Sequence, residues 1–349
     1  MKRPEEPRNV HRANARTLRA AAARLRRGEL VGFPTETVYG LGANALDEKA
    51  VARIFEAKGR PHDNPVIVHV SDLKMLRRVV RDVPARASRL IARFWPGPLT
   101  LLLSKKSSVP SSVTAGSRLV AVRMPEGLAR DLVRLAGVPI AAPSANLSGR
   151  PSPTTAAHVA EDFPGVYVLD GGPTAHGVES TVVSLDPPAV LREGAVPGDL
   201  LRRMIPGLRL AATSRRRARA SGEGAGSGGA SRRPPAAAPP SPAVSPGTKY
   251  THYAPTRPLT LFLRRSSLLS YARTHPSALI LCPDRASSLF PKQNLLLLGS
   301  SPEEIAKNLF AALRTRRRGT ELLALAIPRR GVGRAVMDRL TRAATRIVP

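Results

Sequence analysis

The sequence predicts an α/β chain of two domains, the larger built on a twisted mixed sheet flanked by helices. Three observations carry this. Short apolar runs of strand length alternate with amphipathic helical stretches, yet several successive runs have no helix between them, so the sheet is not wholly parallel. At 349 residues the chain exceeds one average domain. Finally, the composition breaks at 211–245, where Ala, Gly, Ser, Pro and Arg surround a single valine. That stretch buries too little apolar surface to offset its ordering entropy and is expected to be a disordered basic linker.

In chain order, residues 14–27 form a helix with Leu18, Ala21, Ala22 and Leu25 on one face. Leu30–Phe33 is a buried strand, and Pro34–Gly42, rich in Gly, Pro and Thr, is a strand end and loop. Asp47 caps a helix ending near Lys58. Pro65–Val70 is a strand, Pro84–Phe94 a helix, and Leu99–Leu103, Leu119–Arg123, Val138–Ala142 and Val178–Leu185 are further strands. Beyond the linker, Leu259–Leu263, Ala278–Cys282, Leu295–Leu298 and Leu322–Ile327 are strands. Ser301-Pro302-Glu303-Glu304 starts a helix with a cap, a first-turn proline and a glutamate three residues on. With a last helix over 333–345, these elements imply a small Rossmann-like α/β module. The expected division is a catalytic domain over 1–210, the linker over 211–245, an ordered segment over 246–256 and a small domain over 257–349.

Charge is unevenly spread. Of the net +30, residues 1–200 carry +9 (28 basic, 19 acidic) and residues 201–349 carry +21 (27 basic, 6 acidic). Such a field attracts polyanions, nucleic acid first, although a basic run without interleaved aromatics does not by itself make a binding site. One cysteine, Cys282, excludes an intrachain disulfide and reads as a small core residue. No apolar run reaches the roughly 20 residues of a membrane span, and no secretory leader is visible, so a cytoplasmic protein is expected.

The candidate chemistry is defined first by absences. Gly-Lys occurs nowhere, so there is no Walker-type phosphate loop, and no Cys pair or His-x-x-x-His spacing offers a metal site. Nucleotide binding would rest on scattered cations and loop amides. Lys58-Gly59-Arg60-Pro61 reads either as a helix stop or as a triphosphate clamp. Pro143-Ser144-Ala145-Asn146-Leu147-Ser148-Gly149 follows a strand, where α/β ligands sit, but is equally a capped turn. In Glu179-Ser180-Thr181 a hydroxyl pair enters a strand, and with Arg192 on a following turn that pair could bind an amino acid and a phosphate, although Arg192 reads equally as an ordinary surface residue.

Together these segments resemble the YrdC-type threonylcarbamoyl-AMP synthases. The resemblance is carried by Gly32–Gly42, Lys58–Pro61, Asn64-Pro65, Val68–Val70, Trp95–Thr100, Val122–Pro125, Ala142–Gly149 and Ser180–Val182, in the family's order over roughly residues 17–205. Ser245–Pro255, with Tyr250, His252 and Tyr253, resembles the linker that opens the second half of two-domain members. Gly331–Arg334 and Arg339-Leu340 fit that second half. The segment 211–245 is longer and more basic than that linker is expected to be.

The resemblance implies a YrdC-like catalytic domain that condenses L-threonine, bicarbonate or CO2, and ATP into threonylcarbamoyl-AMP, releasing pyrophosphate. It implies catalytic Lys58, Arg60, Ser144 and Asn146, an ATP site extended by His62, Thr114, Arg192, Tyr250 and Tyr253, and a threonine site of Thr35, His69, Arg123 and Ser180. Mg2+ is expected only through the ATP phosphates. The product would pass to a tRNA threonylcarbamoyl-transferase complex, and weak RNA or tRNA binding by the basic chain is a further expectation. An RNA- or ribosome-binding protein without adenylating activity and a degenerate paralogue are the alternatives. A hydrogenase-maturation relative would need cysteine-rich zinc segments that one cysteine cannot supply.

Overall fold

A computed structural model describes residues 8–210 and 253–349. The larger domain runs β1 (Val10–Arg12), α1 (Ala15–Arg26), β2 (Val31–Phe33), β3 (Gly40–Asn44), α2 (Glu48–Lys58), β4 (Ile67–His69), α3 (Leu73–Val79), α4 (Ala85–Phe94) and β5 (Leu99–Ser104). It continues through α5 (Ser111–Thr114), β6 (Leu119–Arg123), α6 (Gly127–Ala136), β7 (Ile140–Ala141), α7 (Ala156–Asp162), β8 (Tyr167–Asp170), β9 (Thr181–Leu185), β10 (Pro188–Arg192) and α8 (Gly198–Met204). Ten strands form one mixed sheet in the order β1-β8-β2-β3-β7-β4-β6-β5-β9-β10. β4 runs parallel to β6 and β5 to β9, whereas β7 is antiparallel to both β3 and β4. The mixed sheet and its flanking helices match the expected class.

Local chemistry explains most boundaries. The Asn14 side chain accepts from the Arg16 and Thr17 amides and starts α1; Asp47 does the same for α2 through Lys49 and Ala50. Gly59, at φ 56°, ends α2 in the left-handed conformation that glycine adopts without penalty. Other boundaries depart from the sequence reading. Gly40–Gly42, expected in a loop, pair with β2, and a Cβ on Gly42 would lie 2.6 Å from the Phe33 ring. Here glycine marks close approach across a strand pair. Pro139 and Pro143, which have no N–H, frame β7 and cut the expected Val138–Ala142 strand to two residues. The Val178–Leu185 strand begins only at Thr181, because the Glu179 carbonyl is turned to the Ala195 amide, 3.1 Å away. Arg192 ends strand β10 and does not sit on a turn.

The smaller unit comprises β11 (Leu259–Phe262), α9 (Arg265–Thr274), β12 (Leu279–Cys282), β13 (Leu295–Leu297), α10 (Pro302–Leu313), β14 (Leu322–Leu325), α11 (Gly333–Ala343) and β15 (Arg346–Val348). Its five strands are all parallel, in the order β13-β12-β14-β11-β15. Two-residue alternation splits the core between two faces. Leu259, Leu261, Leu279 and Leu281 pack with α10 and α11, while Phe262, Ile280, Cys282 and Leu323 pack on the side of α9. Cys282 is fully buried there, as a small core residue would be.

The two units meet closely. Val38 and Val178 of the larger domain join the core around α10 and α11. Gly177 lies against α10 so tightly that a Cβ would sit 2.3 Å from the Lys307 Cα. Arg314 bonds both Asp162 (2.5 Å) and the Pro151 carbonyl (2.9 Å) across the junction. The expected linker 211–245 and most of the segment 246–256 lie outside the described residues. Among the described residues no helix is long and apolar enough to cross a membrane.

The Ser301 hydroxyl caps α10 through the Glu304 amide, and Glu304 reaches back to the Ser301 amide. Ser301→Ala should therefore lower unfolding free energy by about 1 kcal/mol, read by urea denaturation. A change within the roughly 0.5 kcal/mol typical of an uninvolved surface site would contradict that.

Candidate active site

The segments singled out in the sequence converge on one cleft, lined from the larger domain and closed on one side by Tyr253. Parallel pairing of β4 and β6 sets His69 opposite Arg123 at their C-terminal ends. Sheet ends of this kind are where α/β proteins expose functional side chains.

Arg123 is almost wholly buried. Its guanidinium donates to the Gly97 carbonyl (3.2 Å) and to the Thr37 hydroxyl (2.9 Å), and pairs with the buried Glu36 carboxylate. Thr35 shares a hydrogen bond with Thr37 (2.7 Å) and donates to the Val38 carbonyl (2.7 Å). His69 has no partner for its buried Nδ1. Burial first, and the Arg123 charge second, hold its pKa down at about 3, so the ring is neutral at ordinary pH. A neutral imidazole in the cleft lining suits a hydrogen-bond donor such as an amine.

The opposite wall is made by β9 and β10. Arg192 donates to the Ser180 carbonyl (3.0 Å) and hydroxyl (3.0 Å), while the Ser180 hydroxyl also meets that of Thr100 (2.8 Å). On the third side, the Ser144 hydroxyl donates to the Asn146 Oδ1 (2.5 Å), and Asn146 Nδ2 donates to the Leu147 (2.8 Å) and Arg150 (3.0 Å) carbonyls. Arg60 is steadied by the carbonyls of Asn64 (3.0 Å) and Pro65 (2.8 Å). Arg60, Arg123, Arg150 and Arg192 all line the cleft, which favours anionic occupants.

Tyr253 stacks on Phe310 (centroids 5.2 Å apart) with φ at 71°, and burial raises its phenol to about 12, keeping the hydroxyl protonated. Three residues expected in the site do not line the cleft. Lys58 ends α2 with its ammonium turned under the Ser144–Asn146 turn, donating to the carbonyls of Ser144 (2.6 Å) and Asn146. It props that turn, and burial pushes its pKa well below the usual lysine value. His62 is exposed and stacks on Phe55 (4.9 Å), while Thr114 spends its hydroxyl on the Ser117 carbonyl (2.9 Å). Tyr250 and His252 lie outside the described residues. Conversely, Thr37, Arg150, Ser152 and Glu179 line the cleft without having been singled out for it. Thr37 and Glu179 do stand inside polar runs at strand ends, which is the one local signal they offer.

A family model of the Sua5, YciO and YrdC proteins, described as telomere recombination, matches residues 23–194. A second, the threonylcarbamoyl-AMP synthase C-terminal domain, matches 214–345. The threonylcarbamoyl-AMP synthase of Pyrococcus abyssi is 43% identical over 341 residues, covering 93% of either chain. The chain belongs to the two-domain threonylcarbamoyl-AMP synthase family. Another threonylcarbamoyl-AMP synthase, from Bacillus subtilis, is 41% identical over 93% of this chain and 92% of its own. The crystal structure of P. abyssi Sua5 complexed with L-threonine superposes with a TM-score of 0.82 at 41% identity, covering 97% of this chain and 98% of that one. The two-domain synthase family thus accounts for both sheets, including the Rossmann-like module expected at the C-terminus.

His69 makes stability pH-dependent. Its folded pKa of about 3 lies below the ordinary 6.5, so the unfolded chain takes up the proton first. The contribution is complete above pH 6.5 and is lost as pH falls from there towards 3. Near pH 5 the loss is about 2 kcal/mol. His69→Gln should remove that share of the acid destabilisation, measured as the difference in unfolding free energy between about pH 7.5 and pH 5. An unchanged difference would contradict a neutral buried His69.

Proposed function

We propose that this chain makes threonylcarbamoyl-AMP and pyrophosphate from L-threonine, bicarbonate or CO2, and ATP, for threonylcarbamoyladenosine modification of tRNA next to the anticodon. The observation that carries the reading is the single cleft that unites His69, Arg123 and Ser180 with Arg60, Ser144, Asn146 and Arg192. A cleft with four arginines and a neutral histidine fits a substrate pair of amino acid and nucleoside triphosphate.

Threonine's carboxylate is assigned to Arg123, and its amine to His69 and the hydroxyls of Thr35 and Ser180. A nitrogen with a pKa near 3 is a poor general base at neutral pH, so His69 accepts a hydrogen bond and orients the amine. Threonine entering with its amine deprotonated adds through nitrogen to the carbon of CO2 as one C–O π bond opens, and the adduct releases one N–H proton to solvent to leave a carbamate. A carbamate oxygen then attacks the α-phosphorus of ATP, the bond from that phosphorus to the β-bridging oxygen breaks, and pyrophosphate leaves with the electron pair. Arg60, Arg192, Ser144 and Asn146 are assigned to the phosphates and nucleotide. Positioning and charge neutralisation then supply most of the rate.

Mg2+ would enter on the ATP phosphates and offset their charge. The Glu36 and Glu179 carboxylates are engaged by arginines, which supports a metal carried in on the phosphates. Tyr253, stacked on Phe310, would close one side of the site. The product would leave for a tRNA threonylcarbamoyl-transferase complex by diffusion in the cytoplasm, and any direct tRNA contact would be weak and salt-dependent.

The test is pyrophosphate release by purified protein, omitting L-threonine or bicarbonate in turn. Release that requires both is expected. Absence of release from folded protein in the complete mixture would turn the reading towards RNA binding or a degenerate paralogue.

A further inference from the structure

The side chain of Arg339 has no solvent exposure although it belongs to α11 of the smaller domain; of its two partners in the larger domain, Glu179 lines the cleft and Glu193 follows the cleft-lining Arg192 in the chain. Its Nε and one terminal nitrogen donate to Glu179 Oε2 (3.0 and 2.9 Å), and the other terminal nitrogen donates to the Glu193 carbonyl (2.5 Å). The remaining oxygen of Glu179 accepts from the Ser152 hydroxyl at 2.6 Å. Burial opposes ionisation of Glu179, but Arg339 and Arg192 outweigh it and hold the carboxyl at about 2.

These two anchor points precede and follow the groups that matter. Glu179 is joined to Ser180, and Glu193 to Arg192, and Arg192 itself bonds the Ser180 carbonyl and hydroxyl. The segments cross so tightly that a Cβ on Gly194 would lie 2.4 Å from the Glu179 oxygen and the Thr181 nitrogen. Other junction contacts, such as Arg316 with Glu161 (3.3 Å), join the domains without touching this crossing.

We propose that Arg339 is a positioning residue for the reaction: from the smaller domain it fixes the crossing that presents Ser180 and Arg192 to the cleft. This rests on the function proposed above. Displacement of such a wall by about 1 Å is enough to cost on the order of a hundredfold in rate. Lysine keeps the charge but cannot span Glu179 and the Glu193 carbonyl with one planar fork.

The experiment compares Arg339→Lys with Leu323→Ala in the full chain. Leu323 is buried on the face of the small sheet that packs with Phe262 and Leu268, so its truncation weakens the same domain without touching the crossing. At a temperature where both variants are folded, Arg339→Lys should lower kcat/KM for threonine at least tenfold, and Leu323→Ala should leave it within twofold. In a Glu179→Gln background the further effect of Arg339→Lys should shrink below threefold, because both act on one crossing. Equal effects of Arg339→Lys and Leu323→Ala, or full multiplication of the Arg339 and Glu179 effects, would overturn the proposal. If Arg339→Lys does not fold, Glu179→Gln alone decides, and a kcat/KM for threonine within twofold of the wild type overturns it. Threonine affinity by calorimetry is measured in parallel. A wild type that binds threonine but releases no pyrophosphate tells against the proposed reaction, and the positioning role is then read from affinity.

Discussion

A guanidinium without solvent exposure persists only if its donors find acceptors, and Arg339 meets that condition with groups of the other domain. Removing either partner would strand a buried charge, so the pairing strongly disfavours alternative packings of the two sheets. The consequence reaches the substrate cleft. Glu179, which Arg339 holds ionised, stands in the cleft wall, and Arg192 completes the same electrostatic group. One set of hydrogen bonds thus serves both the docking of the domains, alongside Arg314 and the shared apolar core, and the cleft wall.

The same economy governs the other pole. Arg123 is compensated by Glu36 and held by Thr37 and Gly97, so its position is fixed before any ligand arrives. Its field, added to burial, keeps His69 neutral. A charge placed for one purpose thereby sets the protonation state of its neighbour across the β4–β6 pair. Preorganisation of this kind suits chemistry in which the protein contributes placement and charge rather than a covalent step.

What could be read from the sequence follows the range of the interactions. Asp47, Gly59 and Ser301 act on amides or turns a few residues away, and their helix ends were legible. The buried strands of the smaller domain were legible because all-parallel strands are apolar on both faces. Gly40–Gly42 was not, since glycines that permit close approach to Phe33 look like loop residues until the partner strand is known. Lys58 shows the limit at the site. Its spacing beside Arg60 points to a clamp, but the chain brings the Ser144 and Asn146 carbonyls, 86 and 88 residues away, to its ammonium. Glu179 and Arg339, 160 residues apart, carry no local sign of their pairing. By contrast, Thr35, His69, Arg123, Ser180, Arg60, Ser144, Asn146, Arg192 and Tyr253 share one cleft, because family motifs record three-dimensional proximity that local chemistry does not.

The central chemical claim is that the carbon of bicarbonate becomes bonded both to threonine nitrogen and, through oxygen, to the AMP phosphorus. Incubation with 13C-bicarbonate, L-threonine and ATP, followed at once by 13C and 31P NMR, tests this directly. A single labelled carbamoyl carbon coupled to an adenylate phosphorus is the predicted product. AMP or pyrophosphate formed without 13C in the adenylate would contradict the mechanism.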